Sequence, residues 1–353
     1  MPEIGLVEIS DALAGLVSQG LRVYPHQCVR FRHRKAQCTL CADHCPEGAI
    51  AWGESAQVDA QKCTSCGLCA AVCPTGVFEA SSPSNTQLVR EIDELAKVTS
   101  TIAFACPQVA GGEACGVIRV SCLGRLDASI LVGAAASGIR HVQLVDKECE
   151  RCPGNIGHTV AEQAVAASNE LLQACGSVSH VEFIDRSDLL DQPAHIKEQT
   201  TGTRSENVPG EPAQAIKPME KGELPARVPG KRQLLVSSLK RISGQESERE
   251  LDTNLWAAVS IKESCTGCQM CAFFCPTGAL VKFVEDDKPG LTFKYAECTN
   301  CRLCREICYT ASIELAAHVD LTKVIAEASE IVWSNMQTCS REEKLRRLRM
   351  FKP

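Results

Sequence analysis

The chain has 353 residues and a formal net charge of −6, with 23 cysteines against only 3 Trp, 3 Tyr and 9 Phe. That length allows two or three domains, and the lack of a Lys/Arg-dominated domain excludes nucleic acid as the main partner, because neutralising phosphates takes clustered basic residues. No stretch reaches the ~18 apolar residues of a spanning helix, and Met1–Leu6 lacks the basic-then-apolar pattern of an export signal, so a cytoplasmic chain is expected. In that reducing compartment cysteines at this density hold metal rather than form disulfides.

The cysteines fall at 28–73, 106–152 and 265–308, leaving only Cys175 and Cys339 outside. The expected organisation follows: an N-terminal module over 1–83, a central domain over 84–192, a linker over 193–230, a C-terminal module over 231–320, and a helix with a basic tail over 321–353.

The N-terminal module opens with Cys28, nine intervening residues, and Cys38-x2-Cys41-x3-Cys45-Pro46. Ala49–Trp52 and Gln57–Asp59 then read as one β-hairpin, followed by Cys63-x2-Cys66-x2-Cys69-x3-Cys73-Pro74. This spacing is the signature of [4Fe–4S] clusters, and in two-cluster chains the fourth cysteine of each run ligates the other cluster. Three thiolates two residues apart can wrap one cubane from a single loop, while the fourth leaves that loop towards the neighbouring cluster. The sets expected are Cys28, Cys38, Cys41 and Cys73 for one cluster, and Cys63, Cys66, Cys69 and Cys45 for the other. Structural zinc sites usually draw two separated C-x2-C pairs rather than four cysteines in eleven residues, so iron is the reading. Arg30, Arg32, His33, Arg34 and Lys35 fall inside the Cys28–Cys38 insertion and read as a basic surface beside the first cluster, facing an acidic redox partner or solvent alone. His44, next to Cys45, reads as an exposed loop histidine.

The central domain changes period. Thr101–Ala105 and Val117–Val120 are short β-branched runs, Asp127–Ala136 an Ala-rich helix, His141–Val145 a third strand, Ile156–Ala174 a long helix and Val181–Ile184 a fourth strand. Strands alternating with helices predict an α/β layer with a mainly parallel sheet. Cys106 and Cys122 follow the first two strands, and Cys149 and Cys152 follow the third. The C-terminal edge of an open parallel sheet is where ligands bind, so these four thiols are expected to meet there. Cys115 and Cys175 fall elsewhere and read as unligated. The stretches Ile118–Asp127 (IRVSCLGRLD) and Cys152–Gly157 (CPGNIG) resemble the iron–sulfur subunit of methyl-viologen-reducing hydrogenase, which links hydrogenase to heterodisulfide reductase. The resemblance covers residues 100–190 and implies a [2Fe–2S] cluster on Cys106, Cys122, Cys149 and Cys152. Here the family's adjacent-cysteine and Trp-Cys elements are reduced to Cys106 alone.

Pro193, Pro209, Pro212, Pro218, Pro225 and Pro229 mark the linker as an extended segment. Beyond it stand Cys265-x2-Cys268-x2-Cys271-x3-Cys275-Pro276 and Cys298-x2-Cys301-x2-Cys304-x3-Cys308-Tyr309. The same rule expects Cys265, Cys268, Cys271 and Cys308 on one cluster, and Cys298, Cys301, Cys304 and Cys275 on the other. Ala279–Phe283 and Leu291–Lys294 predict a hairpin across the turn from Asp286 to Gly290. Residues 24–80 and 257–317 resemble bacterial-type two-cluster ferredoxin domains, which implies a small α+β fold of paired hairpins and short helices in each. At the end of the chain, Leu345, Leu348 and Phe351 among basic residues read as a short amphipathic helix for docking on a subunit, or as a frayed tail.

The fold expected is therefore multi-domain, with two α+β ferredoxin-like modules and a central α/β domain. No dinucleotide fingerprint, phosphate loop or nucleophile elbow occurs, so no catalytic residue is assigned. Four [4Fe–4S] clusters and one [2Fe–2S] cluster point to an electron-transfer subunit working between a catalytic redox subunit (hydrogenase, formate dehydrogenase or heterodisulfide-reductase-like) and a second carrier, within a multi-subunit complex. The alternative is a self-contained redox enzyme with a substrate or flavin site in the central domain.

Overall fold

The computed structural model describes residues 20–53, 56–109, 116–146, 149, 152, 155–185, 227–243, 250–285 and 288–334. The chain divides into two units, Met1–Cys28 with Thr39–Ser247, and Val29–Cys38 with Glu248–Pro353. Cys115, Cys339, the linker up to residue 226 and the basic C-terminal tail lie outside the described residues.

In the first unit a four-stranded, wholly parallel sheet runs in the order Val117–Arg119, Thr101–Ala105, His141–Asp146, His180–Asp185. Ile102, Phe104, Ile118, Val142 and Leu144 are at most 1% exposed, as expected where helices cover both faces of a parallel sheet. The helix Ala128–Ala136 is apolar all round and buried at eight of its nine positions, and its N-terminus is capped by the Asp127 carboxylate accepting from the Ser129 N–H at 2.9 Å. A helix of that kind must be covered on its outer side as well. The cover is the helix Gly230–Ile242, whose Leu234 side chain lies against Gly133 and whose Leu235 and Leu239 are buried. The expected boundary placed residues from 231 onward in the C-terminal module. The structure instead puts this helix in the first unit, because its leucines complete the central core. The helix Asn85–Leu95, closed by a Ser84–Gln87 capping box, buries Leu88 and Ile92.

The N-terminal part of this unit is small: Leu21–Val23 pairs antiparallel with Phe78–Ala80, and Ile50–Trp52 with Ala56–Val58. Two one-turn helices, Leu40–Asp43 and Leu68–Val72, each carry one cysteine on their buried side.

The second unit repeats that plan. Ala258–Ile261 pairs with Ile313–Ala316, the hairpin Leu280–Glu285/Lys288–Lys294 gains a third strand, Ser329–Ser334, and the short helices are Met270–Phe274 and Leu303–Ile307. The segment Val29–Cys38, which the sequence places at the first N-terminal cluster, belongs here: Val29 and Ala36 are buried with Leu303 and Ile307, and the Gln37 N–H donates to Glu306 Oε2 at 3.1 Å. Two apolar side chains in a stretch otherwise read as a solvated charge run are what dock it.

Candidate iron–sulfur centres

Three cysteine loops share one backbone plan. In Cys63–Cys69, Cys265–Cys271 and Cys298–Cys304, the residues on either side of the second cysteine are left-handed: Ser65 and Gly67 (φ 55° and 85°), Gly267 and Gln269 (66° and 59°), Asn300 and Arg302 (50° and 63°). For the four non-glycine positions this conformation costs roughly 1–2 kcal/mol each. Strain repeated at equivalent positions marks a curl imposed by function. The third cysteine then lies in a one-turn helix that stops at the fourth, where the backbone leaves the helical region at Cys73, Cys275 and Cys308.

Around the fourth cysteine a second device recurs. A threonine hydroxyl two residues on lies 3.7 Å from Cys73 Sγ, 3.7 Å from Cys275 Sγ and 3.5 Å from Cys308 Sγ (Thr75, Thr277 and Thr310). The backbone N–H groups of Ala49, Val77 and Ser312 donate to Cys45, Cys73 and Cys308 at 3.2, 3.4 and 3.3 Å. Donors aimed at ligand sulfur favour the reduced, more negative cluster and so tune its potential. The Cys-x-Thr signal stands in the sequence and marks these hydroxyls.

The expected crossed sets are brought together in two cavities, one lined by Cys45, Cys63, Cys66 and Cys69, the other by Cys265, Cys268, Cys271 and Cys308. In the remaining C-terminal set, Cys275 and Cys298 surround Cys301 and Cys304. Burial, and then the neighbouring cysteines, push the thiols of Cys69, Cys301 and Cys304 well above their ordinary range and that of Cys271 up to about 12. Four thiolates cannot ionise together in so dry a site unless a cation compensates them, and an iron–sulfur core supplies that charge. The donor sets therefore fit [4Fe–4S] clusters.

The first N-terminal set is less regular. Cys28, Cys41 and Cys73 share one core with Leu21 and Phe78. Cys38 falls in the second unit, packed with Leu303 and Ile307 and lying near Cys301. Its loop also lacks the left-handed pair, Thr39 having φ −126°. His44 is a surface residue, its Nδ1 2.8 Å from the Leu40 carbonyl.

In the central domain, Cys122 follows its strand and opens the turn Leu123–Arg125. Burial pushes its thiol up to about 11, and Cys66, Cys106 and Cys152 add to the effect. Two of the other three expected central cysteines, Cys106 and Cys152, thus lie near Cys122, together with Cys66 of the N-terminal loop. The junction is tight. A Cβ on Gly157 would stand 2.6 Å from Cys122 Sγ, one on Gly124 would stand 2.7 Å from Leu68 Cδ2, and one on Gly67 2.9 Å from Arg125 Cβ. Arg125 is only 4% exposed and donates to the Pro83 carbonyl at 2.7 Å and to Asn85 Oδ1 at 3.2 Å. Gly67 and Leu68 are junction residues the sequence reading did not single out, because their role exists only where two loops meet. Cys149 has a different setting, beside Asp146 and His158. Cys175 ends the long helix, buried, with the Ser243 hydroxyl donating to its Sγ at 3.3 Å.

Among the described residues no helix is long and apolar enough to cross a membrane. Residues 36–77 and 264–312 match the family model of the 4Fe-4S dicluster domain. No curated protein and no solved structure matches the chain. The chain thus carries two ferredoxin-like iron–sulfur domains, one towards each end, and its dicluster domains suggest a role in electron transfer.

Proposed function

We propose that the chain is an electron-transfer subunit, relaying single electrons between a catalytic redox subunit and a second carrier. Cys28, Cys38, Cys41 and Cys73, then Cys45, Cys63, Cys66 and Cys69, hold the N-terminal [4Fe–4S] pair. Cys265, Cys268, Cys271 and Cys308, then Cys275, Cys298, Cys301 and Cys304, hold the C-terminal pair. Of the four cysteines expected on a central [2Fe–2S] cluster, Cys149 included, Cys106, Cys122 and Cys152 supply three ligands. When bound, the clusters supply one-electron oxidation and reduction.

The observation that carries this reading is the junction of Cys66 with Cys122. A ligand loop of one dicluster domain is packed directly on the central cysteine group, with Leu68 pressed against Gly124 and Gly157. Electron tunnelling falls off exponentially with separation, so two redox sites sharing an apolar wall exchange electrons where isolated ones do not. Leu68, at 1% exposure, keeps water out of that wall. The resemblance of the Cys122 turn to the hydrogenase subunit supports a hydrogenase, formate dehydrogenase or heterodisulfide-reductase-like partner in the cytoplasm.

Iron and sulfide analysis of the anaerobically isolated chain tests the reading. About 18 irons are expected, sixteen in four cubanes and two in the centre, and Cys122→Ala should lose about two. Stoichiometric zinc in place of most of the iron and little acid-labile sulfide would overturn it.

A further inference from the structure

The mixed donor group at the C-terminal edge of the central sheet is unlike the all-cysteine sets. Asp146 ends the strand His141–Asp146, His158 sits in the first turn of the helix Ile156–Ala174, and Cys149 lies on the loop between them. One ligand atom from each lies within 4.8 Å of the others. Asp146 and His158 are each held with one donor atom towards the group. Asp146 uses Oδ1 to accept the Cys149 N–H at 3.3 Å, while Oδ2 faces His158 Nδ1 at 3.9 Å. Glu162 Oε1 stands 3.3 Å from the other ring nitrogen, Nε2. With the ring N–H at Nε2, facing Glu162, Nδ1 presents its lone pair on the Asp146 side. Nδ1 is buried and makes no hydrogen bond. The Phe183 ring, with its centroid 5.3 Å from that of the imidazole, limits how far it can turn away.

We propose that Asp146 Oδ2, Cys149 Sγ and His158 Nδ1 bind one divalent cation of the zinc type, with Glu162 as the carboxylate that orients the histidine. Zinc takes such oxygen, nitrogen and sulfur donors at about 2.0–2.3 Å in a tetrahedron, which sets neighbouring donors roughly 3.3–3.7 Å apart, so closing the site needs a contraction on the order of 1 Å. Carboxylate–histidine–metal chains are the usual way of fixing a ligating imidazole. Three protein donors leave the fourth position open, as in zinc sites that bind water or a substrate oxygen or sulfur. The assignment gives Cys149 a role apart from the thiols gathered round Cys122. It goes beyond the relay, which concerns iron alone.

The test is metal analysis and zinc-edge X-ray absorption on the full chain, isolated anaerobically with its clusters loaded. About one zinc per chain is expected, with one sulfur and two or three nitrogen or oxygen neighbours. His158→Ala and the near-isosteric Asp146→Asn should each lose it at unchanged iron and sulfide, and Glu162→Gln should weaken its retention about 10–100-fold. Absence of zinc from the iron-replete chain would overturn the assignment, as would zinc with sulfur-only neighbours. Cys149→Ser that loses about two irons while zinc stays would also overturn it and return Cys149 to the central cluster. Low iron throughout would count against the relay instead.

Discussion

At the scale of single residues, most of the chemistry belongs to buried thiols. Cys122 is pushed from its ordinary value near 9 up to about 11, chiefly by burial. A group whose folded pKa is raised contributes stability that is fully present below the unfolded value and is lost as pH rises through the folded one. The chelated, iron-free chain should therefore lose stability between about pH 9 and 11, whereas the iron-loaded chain, whose thiolates are already ionised and compensated, should not. Denaturant midpoints of both forms across that window check this, and identical profiles would contradict it. The two dicluster domains were legible in the sequence because the spacing of their cysteines is local. The grouping of Asp146 with His158 was not, since twelve positions separate them and only the turn from strand to helix brings them together.

At the scale of elements, the central strands and helices could be read from period and β-branching, because a parallel sheet buried on both faces leaves continuous apolar runs. The strand Thr101–Ala105 and the helix Ile156–Ala174 have the expected bounds. In the N-terminal dicluster domain the paired strands Leu21–Val23 and Phe78–Ala80 have three residues each, too few to show a period. The helix Gly230–Ile242 was hidden because it follows the proline-rich segment, and its packing partner lies a hundred residues earlier. Leu239 on that helix is 0% exposed, so Leu239→Ala should cost about 2–5 kcal/mol through lost burial and the cavity left behind. Chemical denaturation followed by far-ultraviolet circular dichroism measures the cost, and a loss below ~1 kcal/mol would show that the helix does not close the central core.

At the scale of the whole molecule, the first unit joins a dicluster domain to an α/β domain where Leu68 meets Gly124 and Gly157, and the central claim is that electrons cross this contact. Electron paramagnetic resonance of the dithionite-reduced, iron-replete chain tests this most directly. The central [2Fe–2S] signal should be split or broadened by the cubane on Cys45, Cys63, Cys66 and Cys69. In Gly157→Ala the new Cβ would stand 2.6 Å from Cys122 Sγ, so that variant should lose the central signal and about two irons while the cubane signals remain and sharpen. A wild-type spectrum in which a full complement of cubanes shows no central signal, or shows one with no sign of coupling, would contradict the account.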